Sequence, residues 1–332
     1  MIWFIFIIAA LTVLVSGQRL TRAADQLAEV TGLSHGFIGV ILLGLVTSLP
    51  ELVSTVSAVL FCNAPNLGLG NIFGSNAANL AILAFLDLAV IRQINQARHN
   101  LNEENQLTAY LSLIIMSLAL MGLASRGFWH ILHLDLFSLI IAAVYIIGLQ
   151  KLHRFQTPDK LIDDAAPPAA AEKATIPAEL RRSLMINAGV IVAAAMTLAT
   201  SAEHIATSTG WGTTFVGNSL LAIATSLPEI VVTFSAVRMG SFAMAAGNIF
   251  GSNIFNIAIL AVADLFFFRS SLFAAASPGQ SLIAAIGLLM TGLYLFVGRY
   301  ASERKLAGRW PVDSLLVVGV YLFSLYAIFT LP

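Results

Sequence analysis

The chain carries one pattern twice. Thr47-Ser48-Leu49-Pro50-Glu51 recurs 178 positions later as Thr225-Ser226-Leu227-Pro228-Glu229. Gly70-Asn71-Ile72-Phe73-Gly74-Ser75-Asn76 recurs 177 positions later as Gly247-Asn248-Ile249-Phe250-Gly251-Ser252-Asn253. Flanking residues follow the same register. Phe37-Ile38-Gly39 matches Phe215-Val216-Gly217, Asn79 matches Asn256, Asp87 matches Asp264, and Asp25 matches Glu203. A duplication this long requires two related units that each solve the same folding problem.

Composition says what that problem is. Hydrophobic residues make up 58% of the 332 positions and charged residues only 10%. A water-facing surface needs far more charge, so the solvent is a lipid bilayer. A spanning helix needs about 20 apolar residues. Candidate spans lie near 1–17, 36–60, 67–90, 106–124, 128–150, 184–205, 213–237, 242–268, 279–298 and 311–331. Alternating barrel patterning is absent, so the expected fold is an all-α integral membrane protein of ten transmembrane helices. Residues 1–150 form the first five-helix repeat, with its motif region at 36–85. Residues 184–332 form the second, with its motif region at 214–262. Five is odd, so the second copy inserts upside down. Inverted repeats of this kind build secondary transporters whose substrate sits at the midplane.

The loop charges agree. With the N-terminus outside, every Lys and Arg among the 17 except Arg126 and Arg269 falls on the inner side. The positive-inside rule then puts both termini outside the cell inner (plasma) membrane and the 151–183 linker in the cytoplasm. That linker holds Ala-Ala-Pro-Pro-Ala-Ala-Ala and is too short for a regulatory domain. Its Asp163-Asp164 pair reads as solvated linker. Residues 1–17 lack a positive n-region and read as a first span rather than a cleaved leader. Net charge is zero, so no field recruits nucleic acid. The single Cys62 is expected to be a buried, inert thiol.

The repeated residues carry chemistry. Glu51 and Glu229 lie at matched depth near the middle of apolar runs, where a carboxylate costs about 2.5–3.5 kcal/mol to insert. Pro50 and Pro228 each remove a helical hydrogen bond and free carbonyls one turn back. Small Gly44 and Ala222 stand nearby. Thr47 and Ser48, like Thr225 and Ser226, fall on the glutamate's face by helical spacing. Together these form an oxygen nest for a hard cation; the bland alternative is a proline kink with back-bonded hydroxyls. The next helix of each repeat has a polar stripe, Asn71-Ser75-Asn79 and Asn248-Ser252-Asn256. Gly70 and Gly74, and Gly247 and Gly251, sit four apart and would allow close helix packing. Alone, such a stripe could equally be interhelical glue. Two carboxylates balance one Ca²⁺ or two Na⁺. The stripe has no His or Cys, which disfavours soft metals, and no mid-span Lys or Arg invites an anion.

At these residues the chain resembles the calcium/cation antiporter superfamily, in particular the bacterial Na⁺/Ca²⁺ exchangers. The resemblance implies that Glu51 and Glu229 bind the cation. It implies that Thr47, Ser48, Thr225 and Ser226 are ligands or gate the site. Ser75 and Ser252 would contribute oxygen, Asn79 and Asn256 would be the last ligands, and Gly44 and Ala222 would supply backbone carbonyls. Partners are then cations and membrane lipid. No cofactor is implied beyond the transported Ca²⁺ and Na⁺, with H⁺ open as the exchanged ion. Exchangers of this family often carry Asp at one of the last two positions, whereas both are Asn here, so Na⁺, K⁺ and H⁺ all remain open as counter-ion. Oligomeric state is open, a monomer being sufficient.

The expected mechanism is alternating access, with the first and sixth spans sliding across the core. A cation channel is the alternative from a different class. An intramembrane enzyme is disfavoured, because no His-Glu-x-x-His or serine elbow accompanies a mid-span His. Asp87 with Asp264, and Asp25 with Glu203, lie near span ends. They read as helix-end carboxylates, with a cation-attracting vestibule as the other possibility.

Overall fold

A computed structural model describes residues 2–89, 103–155, 176–209, 225–300, 305–306 and 310–330. The chain begins with α1 (Ile2–Thr31), followed by α2 (His35–Ile38), a π-helical turn (Gly39–Leu43), α3 (Gly44–Thr47), α4 (Leu49–Leu60) and α5 (Pro65–Ala89). Next come α6 (Glu103–Ser125), a hairpin of β1 (His130–Ile131) and β2 (Leu134–Asp135), and α7 (Leu136–Phe155). The second half contains α8 (Ala178–Thr209), α9 (Leu227–Arg238), α10 (Phe242–Phe266), α11 (Pro278–Tyr300), the short strands β3 (Lys305–Leu306) and β4 (Trp310–Pro311), and α12 (Val312–Thr330).

Among the described residues, seven helices are long and apolar enough to cross a membrane, or eight if the bent pair α2–α3 and α4 counts as one span. The protein is therefore a membrane protein. The expected ten spans differ from the observed helices in three places, and a fourth is described only in part. The first helix runs on to Thr31, so Arg19 and Arg22 lie on it rather than in a loop. The 36–60 run is broken at Ser48 and bent by 40°. Residues 130–135 form the hairpin, and α7 begins only at Leu136. The 213–237 run is described only from Thr225. The linker beyond Phe155, with Asp163-Asp164, lies outside the described residues. Cys62 is exposed, not buried, because it sits in the tight turn after α4, beside Asn63 at φ 50°.

Burial ranks the helices. In α10 and α5, 67% and 61% of the apolar window is buried, against 22% in α1. The two helices that carry the polar stripes therefore form the centre. The α2–π–α3 segment lies along α10 in the same sense. A Cβ at Gly247 would meet the Gly36 carbonyl at 2.3 Å, one at Gly251 the Val40 carbonyl at 2.5 Å, and one at Gly44 the Ser252 amide nitrogen at 2.7 Å. Only glycine permits that backbone contact. After the bend, α4 and α5 form a tight antiparallel pair, with Asn71 Nδ2 reaching Thr55 Oγ1 at 3.0 Å. It follows that α5 and α10, equivalent by sequence, run in opposite directions.

Helix α1 packs against α8 and α9 along a seam of small and aliphatic residues, including Ala9, Val13, Gly17, Ala24 and Ala28. Its three threonines with side-chain bonds (Thr12, Thr21 and Thr31) bond back to their own helix. At its C-terminal end, Asp25 pairs with His35 at 3.0 Å.

Candidate ion-binding site

The first repeat breaks its helix at the serine before Leu-Pro-Glu, and in the second repeat a helix starts at the matching place, Leu227. Ser48 sits at φ −91°, ψ 6° and Ser226 at φ −84°, ψ 1°, outside the helical well. The proline two residues on lacks an N–H and occupies the first turn of the new helix, where none is needed. The break leaves Glu51 and Glu229 in the first turns of α4 and α9, both fully buried. Their carboxyls are close enough to repel one another.

The hydroxyls serve the opposite repeat. Ser48 Oγ donates to Glu229 Oε1 at 3.1 Å, and Thr47 and Ser252 also lie beside the Glu229 carboxyl. Thr225 and Ser75 flank the Glu51 carboxyl, and neither makes a full-geometry hydrogen bond to its two oxygens, which lack a partner among the described residues. The expectation that Thr47 and Ser48 would attend their own glutamate is thus corrected: the helix break turns them toward Glu229. Thr47 Oγ1 lies 3.2 Å from Ser252 Oγ and 3.4 Å from Asn248 Oδ1. The Gly44 carbonyl accepts from Ser252 Oγ at 3.3 Å and from the Ser48 N–H at 3.4 Å. Ala222 lies outside the described residues.

Seven side-chain oxygens in these motifs are buried without a hydrogen-bond partner among the described residues. They are both oxygens of Glu51, Glu229 Oε2, Ser75 Oγ, Ser226 Oγ, Asn79 Oδ1 and Asn256 Oδ1. Each such atom costs about 1–3 kcal/mol. Among the described residues, no three His, Cys, Asp or Glu side chains come together. Two carboxylates with hydroxyl and amide oxygens are the donor set of a hard cation such as Ca²⁺ or Na⁺, not of zinc or copper.

The stripes divide by role. Ser75 with Asn79, and Ser252 with Asn256, are buried. Asn71 turns instead to Ser54 and Thr55, both at 3.0 Å, and Asn248 Nδ2 bonds Thr233 Oγ1 at 2.9 Å. These are equivalent braces in the two repeats, tying each stripe helix to its own glutamate helix. Close backbone approach is seen at Gly247 and Gly251. At Gly70 and Gly74 no backbone of the described residues comes that close; residues 214–224, the repeat equivalents of 36–46, lie outside the described residues.

Sequence reasoning assigned no role to Asn76 and Asn253, both buried at the centre. Asn79 Nδ2 donates to Asn253 Oδ1 at 3.0 Å, and Asn256 Nδ2 donates to Asn76 Oδ1 at 3.0 Å. Their place in the repeated Gly-Ser-Asn was the available signal. The carboxylates outside this centre differ in kind. Asp264 is fully buried, and its two oxygens accept the N–H groups of Leu272 at 2.6 Å and Asp135 at 2.8 Å. Asp135 in turn accepts from the Phe137 N–H and from Ser271 Oγ, both at 2.9 Å, and burial pushes its carboxyl above the usual range. Asp264 is a loop pin. The side chains of Asp87 and Glu203 lie outside the described residues.

The family described as "Sodium/calcium exchanger protein" matches residues 1–149 and 183–331, one segment per repeat. Putative antiporter CaxA of Alkalimonas amylolytica is 26% identical, over 96% of this chain and 98% of its own. Sodium/calcium exchanger MaX1 of Methanosarcina acetivorans is 27% identical, over 80% and 83%. Inner membrane protein YrbG of Escherichia coli is 28% identical, over 77% of each chain. The fold is that of the sodium-calcium exchanger NCX_Mj, with a TM-score of 0.73 at 20% identity over the whole of both chains. This chain belongs to the sodium/calcium exchanger family.

Proposed function

We propose that the chain is a secondary active antiporter that exchanges Ca²⁺ for Na⁺ by alternating access, with Glu51 and Glu229 as the carboxylates both ions share. The observation that carries this reading is that seven buried oxygens of the repeated motifs lack a hydrogen-bond partner among the described residues. A protein that leaves so many acceptors unpaired at its centre needs cations to satisfy them. Thr47, Ser48, Thr225, Ser226, Ser75, Ser252, Asn79, Asn256 and the Gly44 and Ala222 carbonyls complete the ligand set. Two carboxylates neutralise one Ca²⁺ or two Na⁺. Full occupancy by both ions at once would leave uncompensated positive charge in a low-dielectric centre, so the ions compete and exchange follows.

The reading includes ten spans in two inverted repeats, in the inner membrane, with the 151–183 linker in the cytoplasm and both termini outside. The opposed directions of α5 and α10 support the inversion. The smooth seam between α1 and its neighbours supports movement of α1 and α8 over the core, since sliding there breaks few hydrogen bonds. Pro50 and Pro228 keep the helices broken at the site.

Ca²⁺/H⁺ exchange is a second reading. Asn at both 79 and 256 leaves the two glutamates as the carboxylates of the set, and two protons on them would balance one Ca²⁺ as two Na⁺ would. Ca²⁺ uptake into proteoliposomes, with outward Na⁺, K⁺ and H⁺ gradients imposed one at a time, separates the readings. Uptake driven by Na⁺ alone is expected. Uptake driven only by H⁺ would install the second reading. Ca²⁺ flux that none of the three gradients drives and that shows no saturable counterflow would mark a channel.

A further inference from the structure

We infer that Asn76 and Asn253 form a reciprocal amide clamp that makes two neutral asparagines serve as cation ligands. The inference rests on the proposed ion site. Four hydrogen bonds cross between α5 and α10, and they are paired by the repeat. Asn76 Nδ2 donates to the Asn253 carbonyl at 3.3 Å, and Asn253 Nδ2 donates to the Asn76 carbonyl at 3.4 Å. Each side-chain oxygen then accepts from the other repeat's last stripe residue. Asn256 Nδ2 reaches Asn76 Oδ1, and Asn79 Nδ2 reaches Asn253 Oδ1, both at 3.0 Å.

The chemistry of an amide makes this arrangement matter. A carboxylate offers a cation the same atoms whichever way it turns. An asparagine offers an acceptor on one side and two N–H donors on the other. Turned the wrong way, it presents positive hydrogens to the ion. At positions 79 and 256 the clamp holds each NH₂ group, so Oδ1 is the atom left over. Those two Oδ1 atoms are buried and have no hydrogen-bond partner. Asn79 lies one helical turn beyond Ser75, which flanks Glu51. The clamp therefore aims amide oxygens along the stripe that faces the carboxylates. Because each anchor sits on the other repeat, it also fixes the distance between the two half-sites. Asn76 and Asn253 are positioning residues that need not touch the ion.

The test is Ca²⁺ transport in proteoliposomes, resolved into KM and kcat, for Asn76→Ala, Asn256→Ala, the double variant, and Asn76→Ala combined with Asn256→Asp. Asn76→Ala should raise the KM for Ca²⁺ about tenfold, the size of one well-made hydrogen bond, with kcat within about twofold. In the Asn256→Ala background the same change should add little. Asn256→Asp should recover most of the lost affinity, because a carboxylate needs no orientation. An unchanged KM in Asn76→Ala overturns the clamp. So does an equal loss of kcat in both backgrounds, the signature of a merely structural role, or a failure of Asn256→Asp to recover affinity. Glu51→Gln in the same vesicles separates the two levels. If it is inactive while Asn76→Ala behaves as wild type, the clamp fails and the ion site stands; if Glu51→Gln transports normally, the site itself fails.

Discussion

Ser48 of the first repeat donates a 3.1 Å hydrogen bond to Glu229 of the second. Two half-sites built by duplicated sequence are thereby joined into one, since each glutamate has hydroxyls of the other repeat beside it: Ser48 and Thr47 at Glu229, Thr225 at Glu51. The repeat equivalent of Ser48 behaves differently: Ser226 Oγ is buried without a partner among the described residues.

That asymmetry gives a first prediction. Ser48→Ala removes a donor from a buried carboxylate, an interaction worth about 1.5–3 kcal/mol. Its Tm in Ca²⁺-free detergent should fall by several degrees. Ser226→Ala deletes an unsatisfied hydroxyl, so its Ca²⁺-free Tm should hold or rise. Both should raise the KM for Ca²⁺, because both hydroxyls belong to the proposed ligand set. Thermal melts with and without Ca²⁺ check all of these outcomes.

Glycine at 251 is a packing requirement. A Cβ there would stand 2.5 Å from the Val40 carbonyl oxygen and 2.6 Å from Val40 Cα. Backbone has to move, at about 1–3 kcal/mol or more. Gly251→Ala should lower Tm and reduce transport. Gly189→Ala, where a Cβ meets nothing within 4 Å among the described residues, should leave Tm unchanged or raise it slightly through helix propensity.

Asp264 holds the hairpin loop and the α10 terminus together through two backbone N–H groups. Asp264→Asn replaces one acceptor by a donor that faces a donor. Tm should drop by the equivalent of about 1–3 kcal/mol, with the KM for Ca²⁺ unchanged. A large rise in KM without loss of stability would instead make Asp264 part of a cation vestibule.

The sequence announced the centre of this protein and concealed its periphery. Glu51 and Glu229 were legible because a mid-span carboxylate is costly and a repeated one is doubly so. The break at Ser48 was legible from Pro50. What Thr47 and Ser48 face was not, because helical spacing describes an unbroken helix and the break turns them across to the other repeat. The Asn76–Asn253 pairing depends on how α5 crosses α10, which no local pattern encodes. The π-helical turn at Gly39–Leu43 lies where Gly39 backbone presses against α10, a contact that no local pattern encodes either. Past the apolar stretch of the first span, Arg19 and Arg22 are exposed on a helix that continues to Thr31, because long cationic side chains reach water without breaking a helix.

The most direct test of the account uses Glu51→Gln and Glu229→Gln in proteoliposomes loaded with Na⁺ and given external radiolabelled Ca²⁺. Each substitution keeps the shape and removes one of the two charges that balance the cation. The account predicts Na⁺-driven Ca²⁺ uptake by the wild type and none above protein-free vesicles for either variant. Uptake at the wild-type rate by either variant would contradict it.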